Sequence, residues 1–393
     1  MPNPLRGIDP RDAHVCLRED LPSPADAPAS TSAPIVQTSL FTFPTFRALI
    51  EGLDAEHRTH VYSRGQNPTV EAFERKLAEL EGAEACKAFS SGMAAIAAVL
   101  FGTLRAGDHV LFVNETYGPT LRLAAELRRF GVGHDLVLDL APDAVRAALR
   151  PETRLVWLES PGTMLFRVAD IAAIGGIARA HGAVCCIDNS WATPLLQKPL
   201  ALGVDLVVHT CTKYLAGHSD LVAGAVAGAA ARLEELFYSA YLLLGGALAP
   251  ASAWLLLRSM RTLPIRLERQ GADALRVARF LQGHPAVAAV HHPAIGGDPA
   301  LVASQMRGFS GVFSFELRPP EFAAVETALD RLRLFRKGIS WGGVESLVYS
   351  PVREAGNRDG SSLPPGLVRL SVGLEGADAL IEDLSRALPP PDG

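Results

Sequence analysis

Between residues 109 and 209 four short apolar runs, at 109–113, 155–158, 183–187 and 206–209, alternate with stretches of helical period such as 119–129 and 168–180. Each run is too short to be a helix of ordinary length and too uniformly apolar to be a strand with one wet face. Such strands are buried on both sides, and parallel neighbours need helical crossovers to connect them. The pattern therefore predicts an α/β chain with a doubly wound, mostly parallel sheet. Upstream, residues 70–80 read as an amphipathic helix. Residues 92–104 read as a small apolar helix entered through Ser90-Ser91-Gly92. Beyond about residue 250 the order changes. Long helical stretches at 251–260 and 267–281 are followed by strand candidates at 311–317 and 367–372 and a last helix at 378–387. This predicts a smaller C-terminal α+β domain.

With 393 residues the chain exceeds what one core supports. The expected division is an N-terminal arm at 1–60, a large domain at 61–250 and a small domain at 251–393. Residues 22–34, rich in Pro, Ala and Ser, are expected to be an extended arm. A net charge of -5 leaves no basic field for nucleic acid. No apolar run is long enough to span a bilayer. The five cysteines, odd in number, read as buried reduced thiols. With no secretory signal at the start, the expectation is a cytoplasmic protein. No zinc-finger spacing is present, and no metal site is expected.

In an open α/β sheet, ligands collect outside the carboxyl ends of the strands. Polar segments stand at those ends here: Asp188-Asn189-Ser190-Trp191 after one strand, Thr210-Cys211-Thr212-Lys213-Tyr214 after another, and Gly92 opening a helix. Each has a plain reading alone. Ser91 is an N-cap, Asp188 a turn residue, Lys213 a solvated tip and Arg369 a surface cation. Together they supply what a pyridoxal site needs: an imine-forming lysine, a carboxylate for a pyridinium nitrogen, and helix-start amides for a phosphate. Thr210 and Thr212 could add hydroxyl donors, and Tyr117 could stack on the ring. Arg369 interrupts an apolar strand, where a cation requires a partner, and its fork suits a carboxylate.

From about residue 34 onward the chain resembles the cystathionine-processing branch of the Cys/Met-metabolism family of fold-type I pyridoxal-phosphate enzymes. The segments that carry the resemblance are Tyr62-Ser63-Arg64-Gly65-Gln66-Asn67-Pro68-Thr69, Ser91-Gly92-Met93-Ala94 and Thr210-Cys211-Thr212-Lys213-Tyr214-Leu215-Ala216-Gly217-His218-Ser219-Asp220. The resemblance implies pyridoxal 5'-phosphate as cofactor and Lys213 as the Schiff-base lysine and proton carrier. Asp188 would face the ring nitrogen and Tyr117 would stack on the ring. Gly92, Met93, Thr210 and Thr212 would bind the phosphate, joined by Tyr62 and Arg64 from a neighbouring subunit. Ser340 and Arg369 would hold the substrate α-carboxylate. The implied partners are a small amino-acid substrate and further copies of the chain, in a homotetramer built from dimers with shared sites.

Within the family, Ser340-Trp341-Gly342-Gly343-Val344-Glu345-Ser346-Leu347 is most similar to the bacterial cystathionine β-lyases. The γ-acting relatives commonly have leucine at the Trp341 position and glutamate where Ile339 stands, and they carry an asparagine at the Thr163 position. The Tyr62–Thr69 segment and Arg122, five residues after Tyr117, resemble the γ-acting branch instead. Arg122 is the candidate for the distal end of the substrate. The resemblance implies β-elimination of cystathionine to homocysteine, pyruvate and ammonia. The alternatives are γ-elimination or γ-replacement on the same scaffold, and β-elimination from another cysteine conjugate.

Overall fold

The computed structural model describes residues 7–18, 30–354 and 363–388. Seven strands form the larger sheet: β1 (Ala85–Phe89), β2 (His109–Val113), β3 (Gly133–Val137), β4 (Thr153–Glu159), β5 (Val184–Asp188), β6 (Leu206–His209) and β7 (Gly224–Gly228). Their order is β1-β7-β6-β5-β4-β2-β3, with β7 antiparallel to both neighbours and all other pairings parallel. The α/β expectation holds. β2 and β6 have the bounds the sequence predicts, and β5 ends one residue later than expected, on Asp188 itself.

The helices of this half include α1 (Pro10–Leu17), α2 (Phe46–Asp54), α3 (Pro68–Glu81), α4 (Gly92–Thr103), α5 (Gly118–Leu127), α6 (Pro142–Ala148) and α7 (Ile171–His181). α7 starts later than its periodicity predicts because the Asp170 carboxylate accepts the Ala173 N–H at 2.9 Å and caps the helix there. On one face of the sheet, Ile96, Val99 and Leu100 of α4 pack with Val110, Phe112 and Trp157. On the other, Ile174 and Ala178 of α7 pack with Leu111, Val156 and Ile187. The alternation of partners along each strand is the period of two expected of a sheet covered on both sides. Each fully buried Leu, Ile or Val side chain contributes about 1.5–3 kcal/mol.

The second sheet holds β8 (Val287–His291), β9 (Val312–Leu317), β10 (Arg336–Lys337), β11 (Leu347–Tyr349) and β12 (Leu367–Ser371), in the order β10-β11-β12-β9-β8. Helices Leu263–Gln282 and Ala377–Ala387 pack on it through Leu267, Ala274, Leu380 and Leu384. The same apolar cluster runs from these side chains to Phe73 and Leu77 of α3. Two hydrogen bonds fix the large sheet's loops to the start of β9 in the small sheet. Trp191 Nε1 donates to the Val312 carbonyl at 3.0 Å, and the Gly311 N–H donates to the Tyr214 hydroxyl at 2.7 Å.

The first 60 residues are not a featureless arm: they include α1, which buries Val15 and Cys16, and α2. Of the proline-rich stretch, residues 22–29 lie outside the described residues. All five cysteines are buried and unbridged. Among the described residues no helix is long and apolar enough to cross a membrane.

Candidate active site

The carboxyl ends of β4, β5 and β6 converge on a cleft of about 260 Å³ that is closed on its far side by Arg369 of the second sheet and by Ile339 and Trp341 of the loop after that sheet's strand Arg336–Lys337. Ser91, Gly92, Met93, Tyr117, Asp188, Thr210, Thr212 and Lys213 all line it. The cleft therefore brings together most of the residues singled out from the sequence. Ser340 joins them through its hydroxyl, which lies 2.9 Å from Lys213 Nζ.

Lys213 sits on a turn held by Gly217 N–H, which donates to the Lys213 carbonyl at 2.7 Å. Its Nζ lies 5.2 Å from the centre of the Trp341 ring, and that ring tilts against Tyr214 with centroids 5.6 Å apart. Burial pushes the amine down to about 8, the Arg369 guanidinium pushes the same way, and Asp188 opposes them. Burial also lowers Arg369 itself, to about 10. Arg369 Nη2 donates to the carbonyls of Ile339 and Ser340 at 2.8 and 3.2 Å, and its guanidinium lies 5.1 Å from the Tyr349 ring centre. No carboxylate pairs with Arg369 among the described residues, which leaves its fork open to an anionic ligand.

Asp188 ends β5 opposite Glu159, the last residue of β4. The Ser190 N–H donates to Asp188 Oδ1 at 2.9 Å. Burial raises Asp188 above the usual carboxylate range, against the pull of Ser190, His209 and Lys213. Glu159 is raised by burial and then by Asp188. Two buried acids side by side call for a cation between or above them.

The sequence reading assigns Glu159 no role. It accepts the Tyr117 backbone N–H at 2.7 Å and the Thr163 hydroxyl at 2.7 Å, so it fixes both ends of the loop pair that carries Tyr117. The available signal was an acid directly at a predicted strand end. Asn114, in the left-handed region at φ 76°, completes this arrangement by donating to the Glu159 and Arg167 carbonyls at 2.7 and 2.9 Å.

At the opposite end of the cleft, the Ser91 hydroxyl accepts the Ala94 N–H at 3.0 Å and caps α4. The amides of Gly92 and Met93 stand in the first turn, where a helix offers no acceptor of its own. An added Cβ on Gly92 would meet Thr210 Oγ1 at 2.3 Å. The backbone approach here requires glycine. Thr212 differs from expectation in detail: its hydroxyl donates to the Ala223 carbonyl at 3.1 Å and accepts the Ala223 N–H at 3.0 Å. Its proton is already committed.

Three expected residues are not part of the cleft within this chain. Tyr62 and Arg64 are exposed and stack on each other, the guanidinium 5.4 Å from the ring centre. Arg122 lies on the exposed side of α5 and is not among the lining residues.

Residues 19–389 match the family model described as Cys/Met metabolism PLP-dependent enzyme. The chain belongs to that family. The PLP enzyme is 40% identical over 377 residues to the L-methionine gamma-lyase of Pseudomonas putida, covering 93% of this chain and 94% of that one. It is 39% identical over 371 residues to the cystathionine beta-lyase of Lactococcus lactis subsp. cremoris, covering 91% and 94%. Its fold superimposes on the cystathionine gamma-lyase from Lactobacillus plantarum complexed with L-serine at a TM-score of 0.86, with 35% identity and 96% and 98% of the two chains covered. The cofactor is therefore pyridoxal phosphate. The cleft fits it on its own evidence: a buried acid pair at the strand ends, a glycine-lined helix start for an anion, and a lysine amine lowered to about 8 in the same cleft.

Proposed function

We propose that the protein is a carbon–sulfur lyase that acts on cystathionine by β-elimination, releasing homocysteine, pyruvate and ammonia. Bound at Lys213, pyridoxal phosphate supplies an electron sink for negative charge at the substrate Cα. The side chains of the cleft do the rest. Arg369, with no competing carboxylate, takes the α-carboxylate, assisted by Ser340. Lys213, lowered to about 8, is mostly protonated near neutral pH but deprotonates readily, which suits an amine that takes the Cα proton and returns it. Asp188 would face the ring nitrogen, Tyr117 would stack on the ring, and Gly92, Met93 and Thr210 would hold the phosphate. The partner's Tyr62 and the partner's Arg64 complete the phosphate site, which makes the active unit a dimer, paired into a tetramer.

The observation that carries the choice of β over γ is the wall beside Lys213. Trp341 places its ring 5.2 Å from the Lys213 amine, and Ile339 lines the rim with no group that can exchange a proton. Cleavage at Cγ needs a second proton removed, from Cβ, whereas cleavage at Cβ needs only the first. A large fixed indole restricts how the substrate chain lies, and positioning of this kind changes rates by about a hundredfold. The γ reading is favoured by the Tyr62–Thr69 segment and by a γ-lyase relative as similar as the β-lyase one. The test is the double variant Ile339→Glu/Trp341→Leu, assayed with cystathionine. The proposal expects the ratio of 2-oxobutyrate to pyruvate to rise by at least about tenfold; an unchanged ratio removes this wall as the determinant.

A further inference from the structure

Beneath the cleft, on the side of the sheet away from Asp188, a row of buried polar side chains joins the ends of three adjacent strands. Gln197 Nε2 donates to the Ser160 carbonyl just after β4 at 2.7 Å and to Asn189 Oδ1 just after β5 at 3.0 Å. Asn189 Nδ2 donates to Glu81 Oε1 at 3.2 Å. The same oxygen of Glu81 receives a short hydrogen bond from Nε2 of His209, the last residue of β6. Asn189, Glu81 and His209 are each at most 1% exposed.

These three strand ends carry Glu159, Asp188 and the Thr210–Lys213 segment. The backbone repeats the linkage: the Asn189 N–H donates to the Val208 carbonyl at 2.9 Å, and the Thr210 N–H donates to the Ser190 hydroxyl at 2.6 Å. Glu81 enters from the last turn of α3, outside the three strand ends that the row joins. Its second oxygen, Oε2, is buried without a partner. A carboxylate so placed is an expensive way to fill space, because an apolar pair of the same shape is commonly neutral or stabilising.

We propose that Glu81 and His209 are positioning residues that tie the turn bearing Asp188 to the strand end bearing Lys213, and so set the cofactor ring relative to the amine. The inference rests on the reading of Asp188 as the partner of the ring nitrogen. Neither residue touches substrate or cofactor. Their effect passes through Asn189 and Ser190 on one strand and through Thr210 on the other.

The test replaces both partners by apolar groups of similar shape, Glu81→Met/His209→Phe, in the full-length protein. Melting temperature, cofactor affinity of the stripped protein, the absorbance maximum of the bound cofactor, kcat and KM are compared with wild type. A purely structural pair leaves folded protein with wild-type affinity, absorbance and kcat, and that result overturns the inference. The inference expects a retained melt, an altered absorbance maximum, and losses of about tenfold in cofactor affinity and in kcat with little change in KM. If the double variant does not fold, His209→Gln and His209→Ala decide. The amide keeps a donor for Glu81 and should hold affinity within about threefold, whereas alanine should lose about tenfold; equal behaviour overturns the inference. Asp188→Asn, measured alongside, separates the two levels. If it leaves affinity and absorbance unchanged, the reading of Asp188 falls and the inference with it. If it impairs both while the Glu81 and His209 variants match wild type, only the inference falls.

Discussion

Cofactor capture by the stripped protein reports directly on Lys213, because only the neutral amine attacks the cofactor aldehyde. Burial and Arg369 bring this amine down to about 8. At pH 7 roughly one amine in ten is then neutral, against roughly one in 2,500 for a solvated lysine near 10.4. The site should therefore capture the aldehyde about two hundredfold faster at pH 7 than an unperturbed lysine of the same geometry would. The rate should climb with pH and level off above a midpoint near 8. Two substitutions shift that midpoint in opposite directions. Arg369→Gln removes a cation that disfavours protonation of Lys213, so the midpoint rises, by up to about one pH unit, and capture at pH 7 slows by up to about tenfold. Asp188→Asn removes the opposing carboxylate, so the midpoint falls. The assay follows the absorbance of the lysine-linked cofactor after rapid mixing, from pH 6 to 11, and compares midpoints rather than absolute rates. A wild-type midpoint above pH 10, or a midpoint that falls in Arg369→Gln, would refute the reasoning.

Two further outcomes are expected. Gly92→Ala places a methyl group 2.3 Å from Thr210 Oγ1 where the phosphate is proposed to bind; overpacking of this kind costs about 1–3 kcal/mol, and titration of the stripped protein should show cofactor affinity lower by about tenfold with the fold intact by circular dichroism. Mixing inactive Lys213→Ala subunits with inactive Arg64→Ala subunits should restore activity through hybrids that hold one complete site; confirmed subunit exchange with no recovered activity would remove the cross-subunit role of the partner's Arg64.

The legible part of the fold was the part whose side chains are large. β2 reads His-Val-Leu-Phe-Val and β6 reads Leu-Val-Val-His, and both were bounded from sequence. β7 reads Gly-Ala-Val-Ala-Gly and gave no strand signal. The reason is steric: a Cβ on Gly224 would lie 2.3 Å from the Ser91 carbonyl, and one on Gly228 2.7 Å from that of Asp205. The close approach that builds the phosphate end of the cleft excludes the β-branched residues by which strands are recognised. β10, two exposed basic residues, carries no apolar pattern at all.

Within the site, Lys213, Asp188 and Gly92 were legible because each stands at the end of a recognisable element. Glu81 was not. It closes an amphipathic helix just before Gly82, where an acid ordinarily faces water, and only the folded chain shows that its carboxylate is buried on His209 at the end of β6. Arg122 stands on the exposed side of α5, five residues after Tyr117, and its proposed contact with the distal end of the substrate rests on that spacing alone.

The most direct test of the account is the product formed from cystathionine by the purified enzyme, identified by mass spectrometry of the oxo acid. The arrangement of Lys213 beneath Trp341, with Ile339 at the rim, predicts pyruvate in excess of 2-oxobutyrate by at least about tenfold, a barrier difference of about 1.4 kcal/mol. Predominant 2-oxobutyrate would contradict β-elimination while leaving the cofactor and its family in place.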